Sequence, residues 1–165
     1  MVMQMILSFD VGTKNLSLCK LDNQKEIHEW QLINIGSVNA ESLCNRLDSI
    51  NGLMNDVKLV VIEKQIRANI KMIRMSTMLE TWCFMRKMQK SMKVILCPAA
   101  KRLEFIGYTR DSGLTKGRQY RARKTACVEY AKDVLCGSPW LEHLESSSKK
   151  DDLADCLCQA LVYVQ

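Results

Sequence analysis

Two short apolar runs in this 165-residue chain each stop at a carboxylate. Met5–Phe9 (MILSF) runs into Asp10, and Leu59–Ile62 (LVVI) runs into Glu63. Apolar runs of this length bounded by turn signals read as buried strands. A carboxylate at the end of such a strand is costly unless a partner meets it. If the two strands are neighbours, both acids reach the edge where open α/β sheets form their ligand crevice. Each acid also has a structural explanation: Asp10 can cap the turn at Gly12, and Glu63 can pair with Lys64 or Arg67.

The remaining pattern is that of an α/β chain. Met5–Val11 and Leu16–Leu21 read as a hairpin, Ile27–Ile35 as a third strand, Leu59–Ile62 as a fourth and Val94–Cys97 as a fifth. Helical spacing covers Ala40–Asn55, with Gly52 weakening its end, and then residues 69–92, the longest helical stretch. There Met75, Met78, Trp82, Met85 and Met92 share a stripe, with Met72, Leu79 and Met88 beside it and Lys71, Arg74, Arg86, Lys87 and Lys90 around them. Such a stripe is ordinarily core. Methionine also suits adaptable interfaces, so Met75, Met78, Trp82, Met85 and Met92 are also candidates for a seam between two copies. Pro98 suits the first turn of a helix AAKRLEF. Gly107–Gly117 reads as a mobile loop, and a further helix runs from Arg118 to about Leu135. Gly137-Ser138-Pro139 and Ser146-Ser147-Ser148 punctuate the chain before a last helix.

Length and composition set the class. A chain of 165 residues fits one domain over residues 1–165, large enough to bury its core without disulfides. No apolar run approaches a membrane span, and the start has no basic segment of a signal peptide. Eight cysteines scattered through apolar segments, without a C-x-x-C and with two histidines, fit free thiols in a reducing, cytoplasmic setting.

The net charge of +6 is concentrated. Residues 93–132 hold ten basic side chains against three acids, a window of +7 beside a remainder of −1. A local basic excess is the footprint of a phosphate-backbone partner; alone, it also fits a solvated loop. Lys101, Arg102, Lys116, Arg118, Arg121, Arg123 and Lys124 from this window, with Lys14 and Lys64 near the strand ends, are the candidate contacts to such a backbone.

The last helix adds more acids. Ser148-Lys149-Lys150-Asp151 reads as a capping box with Asp151 at the third helical position. On a wheel of about 100° per residue, Leu153, Cys156, Leu157, Ala160 and Val164 form one apolar arc. Asp152 and Asp155 sit together at its rim. Three aspartates can simply decorate a helix N-terminus. Joined by Asp10 and Glu63 they would repel one another unless a divalent cation intervened. An all-oxygen ligand set suits Mg²⁺ or Mn²⁺ rather than zinc.

Asp10 within ILSFDVGTKNLSL, Glu63 within VVIEKQ, and Asp152 and Asp155 within KKDDLADCLCQALVY together resemble the RuvC-type Holliday junction resolvases of the RNase H-like superfamily, most closely their poxvirus branch. The resemblance spans nearly the whole chain. Val11 stands where the bacterial motif commonly carries proline, which bears on the branch and not on the acids. The resemblance implies an RNase H-like fold, a five-stranded mixed sheet flanked by helices. It implies a homodimer and magnesium-dependent, symmetrical nicking of four-way branched DNA, in viral DNA recombination and concatemer processing. It also implies an auxiliary active-site lysine, at Lys101 or Lys124; Lys124 is preferred because its helix start can reach a scissile phosphate.

Under that reading Asp10, Glu63, Asp152 and Asp155 hold two Mg²⁺ ions about 3.5–4 Å apart, with Mn²⁺ as a substitute, and Lys124 offsets transition-state charge. The products carry a 5′-phosphate and a 3′-hydroxyl, and a viral enzyme of this kind would work in the host-cell cytoplasm. Three alternatives compete. Asp10-Val11-Gly12-Thr13-Lys14-Asn15 also fits the phosphate loop of actin-like sugar kinases, but those need two domains, so no nucleotide cofactor is expected. A non-catalytic nucleic-acid-binding module would use the acids structurally. An RNase H or flap-type nuclease could share the fold and the acids, since a fold does not choose its substrate.

Overall fold

The computed structural model describes residues 4–36, 38–50, 52–66, 69–86 and 91–164. Among these residues the chain forms five strands and six helices: β1 (Met5–Val11), β2 (Asn15–Leu21), β3 (Ile27–Asn34), α1 (Ala40–Asp48), β4 (Val57–Glu63), α2 (Ile70–Met85), β5 (Lys93–Cys97), α3 (Ala99–Phe105), α4 (Lys116–Val134), α5 (Trp140–Ser146) and α6 (Lys150–Leu161). They make one sheet of order β3-β2-β1-β4-β5. β1, β2 and β3 pair antiparallel, while β4 and β5 join parallel to β1. The mixed five-stranded sheet expected above is present.

Alternation along the strands sorts their side chains onto two faces. In β1, Met5, Leu7, Phe9 and Val11 join a core with Val60 and Ile62 of β4, covered by α1 and α2. Ile6, and with it Ser8 and Asp10, point to the other face, which packs with Val61 against α4, α5 and α6. The parallel register pairs Phe9 with Ile62. One residue further along each strand, Asp10 and Glu63 therefore emerge side by side on the α6 face.

Several boundaries move. α1 stops at Asp48, before Gly52, whose backbone is left-handed at φ +68°. α2 ends at Met85, and Lys87, Met88 and Lys90 of the expected longer helix lie outside the described residues. α5 has no counterpart in the sequence reading: its seven residues are too few for a periodic signal. The expected capping box does not form. Lys149 is the N-cap of α6 without a side-chain hydrogen bond, and Asp151 turns instead to Lys124. The one-sided apolar arc of α6 is also too modest. Leu153 to Leu161 are buried without interruption, because sheet and helices enclose the helix on all sides.

Three of the proposed seam residues are internal. Met75 and Trp82 are buried against the sheet, and the Trp82 indole donates to Asp48 at 2.9 Å. Met92 is buried as well, and Met78 is partly covered. The sequence stripe is the core face of α2, whereas Met85 lies on its open side with 78% of its surface exposed. No helix among the described residues is long and apolar enough to cross a membrane.

Candidate active site

The four acids meet in one cleft of about 410 Å³, lined by Asp10, Glu63, Asp152 and Asp155 with Arg102, Lys124 and the Gly12–Thr13 turn. Asp10 and Glu63 come from adjacent strand ends, and α6 lays its first turns across them. Burial, then repulsion from and hydrogen bonding with Glu63, push the Asp10 carboxyl well above the ordinary carboxylate range. Burial raises Asp155 too, against the pull of Arg102. Oδ1 of Asp155 is buried without a hydrogen-bond partner. These are carboxylates gathered more closely than their own charges favour.

Two cations answer them. Arg102, expected on the DNA-binding surface, is instead buried with 5% of its surface exposed. Its guanidinium stands 3.1 Å from Asp155 and 3.7 Å from Glu63. Burial opposes its charge, but Asp155, Asp10 and Glu63 outweigh that and hold it above the usual arginine value. Nothing in the charge pattern of AAKRLEF separates it from Lys101; only the direction in which α3 turns does. Lys124, on α4, donates to Asp151 and, at 3.1 Å, to Asp152. Burial works against its ammonium, and these hydrogen bonds keep it firmly protonated. Lys101 faces away from the cleft, its Nζ 4.3 Å over the Tyr163 ring.

The basic window is therefore smaller than its formal charge suggests, because Arg102 and Lys124 are committed to acids. Lys116, Arg118, Arg121 and Arg123 remain exposed on α4, and Lys14 and Lys64 are exposed by the strand ends. Arg123 lines the cleft beside Tyr120, an exposed aromatic that the sequence reading passed over.

Among the described residues, the acids whose ligating atoms crowd within 4.8 Å of one another, with a histidine, are elsewhere: Asp22, Glu26 and His28. That group is a turn. Asp22 accepts from the Gln24 and Glu26 backbone N–H groups and pairs with His28 at 2.9 Å. In the cleft, Arg102 sits between Glu63 and Asp155.

Comparison with known proteins agrees with the fold. The fowlpox virus Holliday junction resolvase superposes with a TM-score of 0.67 at 18% identity, over 97% of each chain. Thermus thermophilus RuvC in complex with a Holliday junction substrate gives 0.66 at 11% identity, over 97% of this chain and 92% of that one. The yeast mitochondrial Holliday junction resolvase Ydc2 gives 0.65 at 16% identity, over 96% and 78%. No curated protein sequence matches the chain. The RuvC-type, RNase H-like architecture implied by the sequence is thus the observed one. The family model described as Poxvirus A22 protein matches residues 4–165, and the chain belongs to that family.

Proposed function

We propose that this protein is a structure-specific endonuclease that resolves four-way DNA junctions. The observation that carries the reading is the convergence of four carboxylates, two from neighbouring parallel strands and two from α6, in a cleft bordered by Lys124 and Arg123. Family membership and the fold support it. The fowlpox virus resolvase and T. thermophilus RuvC, each described in complex with Holliday junction DNA, support branched DNA as the substrate class.

The donor set fits a hard divalent cation: all four ligands are carboxylates, Asp10 is raised by burial and then by its acidic neighbours, and Asp155 Oδ1 lacks a partner. Asp10, Glu63, Asp152 and Asp155 would hold Mg²⁺ or Mn²⁺, two ions per site. Such ions would supply Lewis-acid chemistry, activation of an attacking water and neutralisation of charge on a leaving oxygen. The chain's own groups do the rest. Arg102 holds Asp155 and Glu63 at a common point, and Lys124 places a fixed positive charge beside Asp152, where the phosphate would carry its developing charge. Lys116, Arg118, Arg121, Arg123, Lys14 and Lys64 contact phosphates, which contributes affinity rather than sequence choice. Free thiols suit a reducing compartment such as the cytoplasm.

Paired nicks on opposing strands call for two sites related by a twofold axis. The open side of α2 offers Phe84 and Met85, with Ile70 and the preceding Ile66, all exposed; this face, rather than the buried Met75–Trp82 stripe, is the proposed homodimer contact.

The test is a nicking assay on a synthetic four-way junction with added Mg²⁺, beside duplex, flap and RNA–DNA hybrid controls. Paired nicks leaving 5′-phosphates are expected, and Asp10→Asn or Asp152→Asn should abolish them while junction binding persists. Full-strength cleavage by either variant overturns the metal-site assignment; cleavage confined to the hybrid makes the protein an RNase H.

A further inference from the structure

Within the uninterrupted buried stretch of α6, Asp155 and Gln159 are the two polar side chains, and they lie one turn apart. Gln159 is fully buried. Its Nε2 donates to Ser8 Oγ at 2.9 Å, to the Phe9 carbonyl at 3.1 Å and to the Val61 carbonyl at 3.3 Å. Phe9 directly precedes Asp10, and Val61 lies two residues before Glu63. One amide thus ties α6 to both strands that carry the other acids.

The arrangement is not one tuned for stability alone. The Gln159 carbonyl oxygen has no partner, and an unpaired buried acceptor is a net cost. Hydrogen bonds, unlike apolar contacts, are directional: they fix both the translation of α6 along the sheet and its rotation. The neighbouring contacts belong to the same seam. Cys156 Sγ lies 3.1 Å from the Ser8 carbonyl, and Ser17 Oγ donates to the Asp152 carbonyl at 2.8 Å.

We propose that Gln159 is a positioning residue that sets the register of α6 on the sheet, and so the placement of Asp152 and Asp155 against Asp10 and Glu63. The inference rests on the metal-binding reading above. Gln159 bonds none of the four carboxylates and acts through their placement, so the expected loss is about tenfold, the lower end of what removing direct partners of metal ligands costs.

The test uses Gln159→Leu in the full chain, with Mn²⁺ as the probe. Mn²⁺ binding without DNA is titrated by electron paramagnetic resonance, alongside melting in EDTA and the Mg²⁺ dependence of junction nicking. Expected are a metal-free melting temperature lowered only modestly, because the variant strands Ser8 Oγ but also removes the unpaired Gln159 carbonyl, Mn²⁺ binding weakened by about tenfold, and a matching rise in the Mg²⁺ needed for half-maximal nicking. Saturating Mg²⁺ should recover most of the rate. Ser8→Ala, which removes one acceptor of three, should shift Mn²⁺ binding in the same direction by less, and carries the test if Gln159→Leu does not fold. A folded Gln159→Leu with unchanged Mn²⁺ affinity overturns the proposal, as does an unchanged Ser8→Ala standing in for it. A parent protein that binds Mn²⁺ no better than Asp152→Asn instead overturns the metal-site reading beneath it.

Discussion

Replacing Arg102 by methionine (Arg102→Met) keeps the length and apolar stem of the side chain and removes the cation that Asp155 and Glu63 share at 3.1 and 3.7 Å. Breaking a buried ion pair from one side costs about 3–5 kcal/mol, because the remaining charge is left uncompensated. Here two carboxylates lose their partner, with the already raised Asp10 beside them. They can relieve the strain by taking up protons, so the lower end of that range, about 3 kcal/mol, applies at pH 8. For a chain of this size each kcal/mol moves the melting temperature by about 2–4 °C, giving a drop of about 6–12 °C in EDTA. The variant's folded state binds more protons than the parent's, so the deficit should shrink toward pH 5. Mn²⁺ supplies positive charge in the same place and should narrow the gap as well. Circular-dichroism melts at pH 8 and pH 5, with and without Mn²⁺, read all three effects. A variant that melts with the parent at pH 8 in EDTA, or a deficit that ignores both pH and Mn²⁺, would refute the claim that Arg102 balances the acid cluster.

A Cβ at Gly12 would lie 2.3 Å from the Asn15 carbonyl oxygen, so Gly12→Ala must deform the turn that follows Asp10. We expect a loss of about 1–3 kcal/mol from overpacking, read by urea unfolding, together with impaired nicking. Asp10 is raised above its ordinary value of 3.8; its contribution to stability is complete below that pH and is lost as pH rises through the folded value. Metal-free Asp10→Asn should therefore melt above the parent at pH 8 and converge with it near pH 4; a gap that widens on acidification contradicts the sign. Cys136 is exposed and Cys44 partly so, whereas the other six thiols are buried, with Cys83 pushed up to about 12. A thiol-reactive dye should label Cys136 quickly, Cys44 more slowly and the rest only on unfolding; prompt labelling of more than two sites is the contrary result.

Much of this arrangement was legible in the chain. Asp10 and Glu63 were readable because an apolar run that ends in a carboxylate is a local pattern, and alternation places Ser8 and Asp10 on the face opposite Leu7 and Phe9. The i,i+3 pair Asp152 and Asp155 was equally local. α5 was not, since seven residues after a proline show little periodicity. The roles of the basic residues were harder still. Arg102 and Lys101 are adjacent in an unremarkable basic dipeptide, yet one is buried among acids and the other lies over Tyr163. Likewise Met75, Trp82 and Met85 share a helical stripe, and only the sheet beneath α2 divides them into core and surface.

By itself, the sequence determined the α/β pattern, the five strands, the four acids and the concentration of basic charge, because each depends on residue type and short-range spacing. Tertiary structure decided which charges meet. The Phe9–Ile62 register sets Asp10 beside Glu63, α6 is seated over both by Gln159, and α3 turns Arg102 inward. Such encounters join residues dozens to more than a hundred positions apart. Their energies depend on distance and burial, which no local pattern encodes.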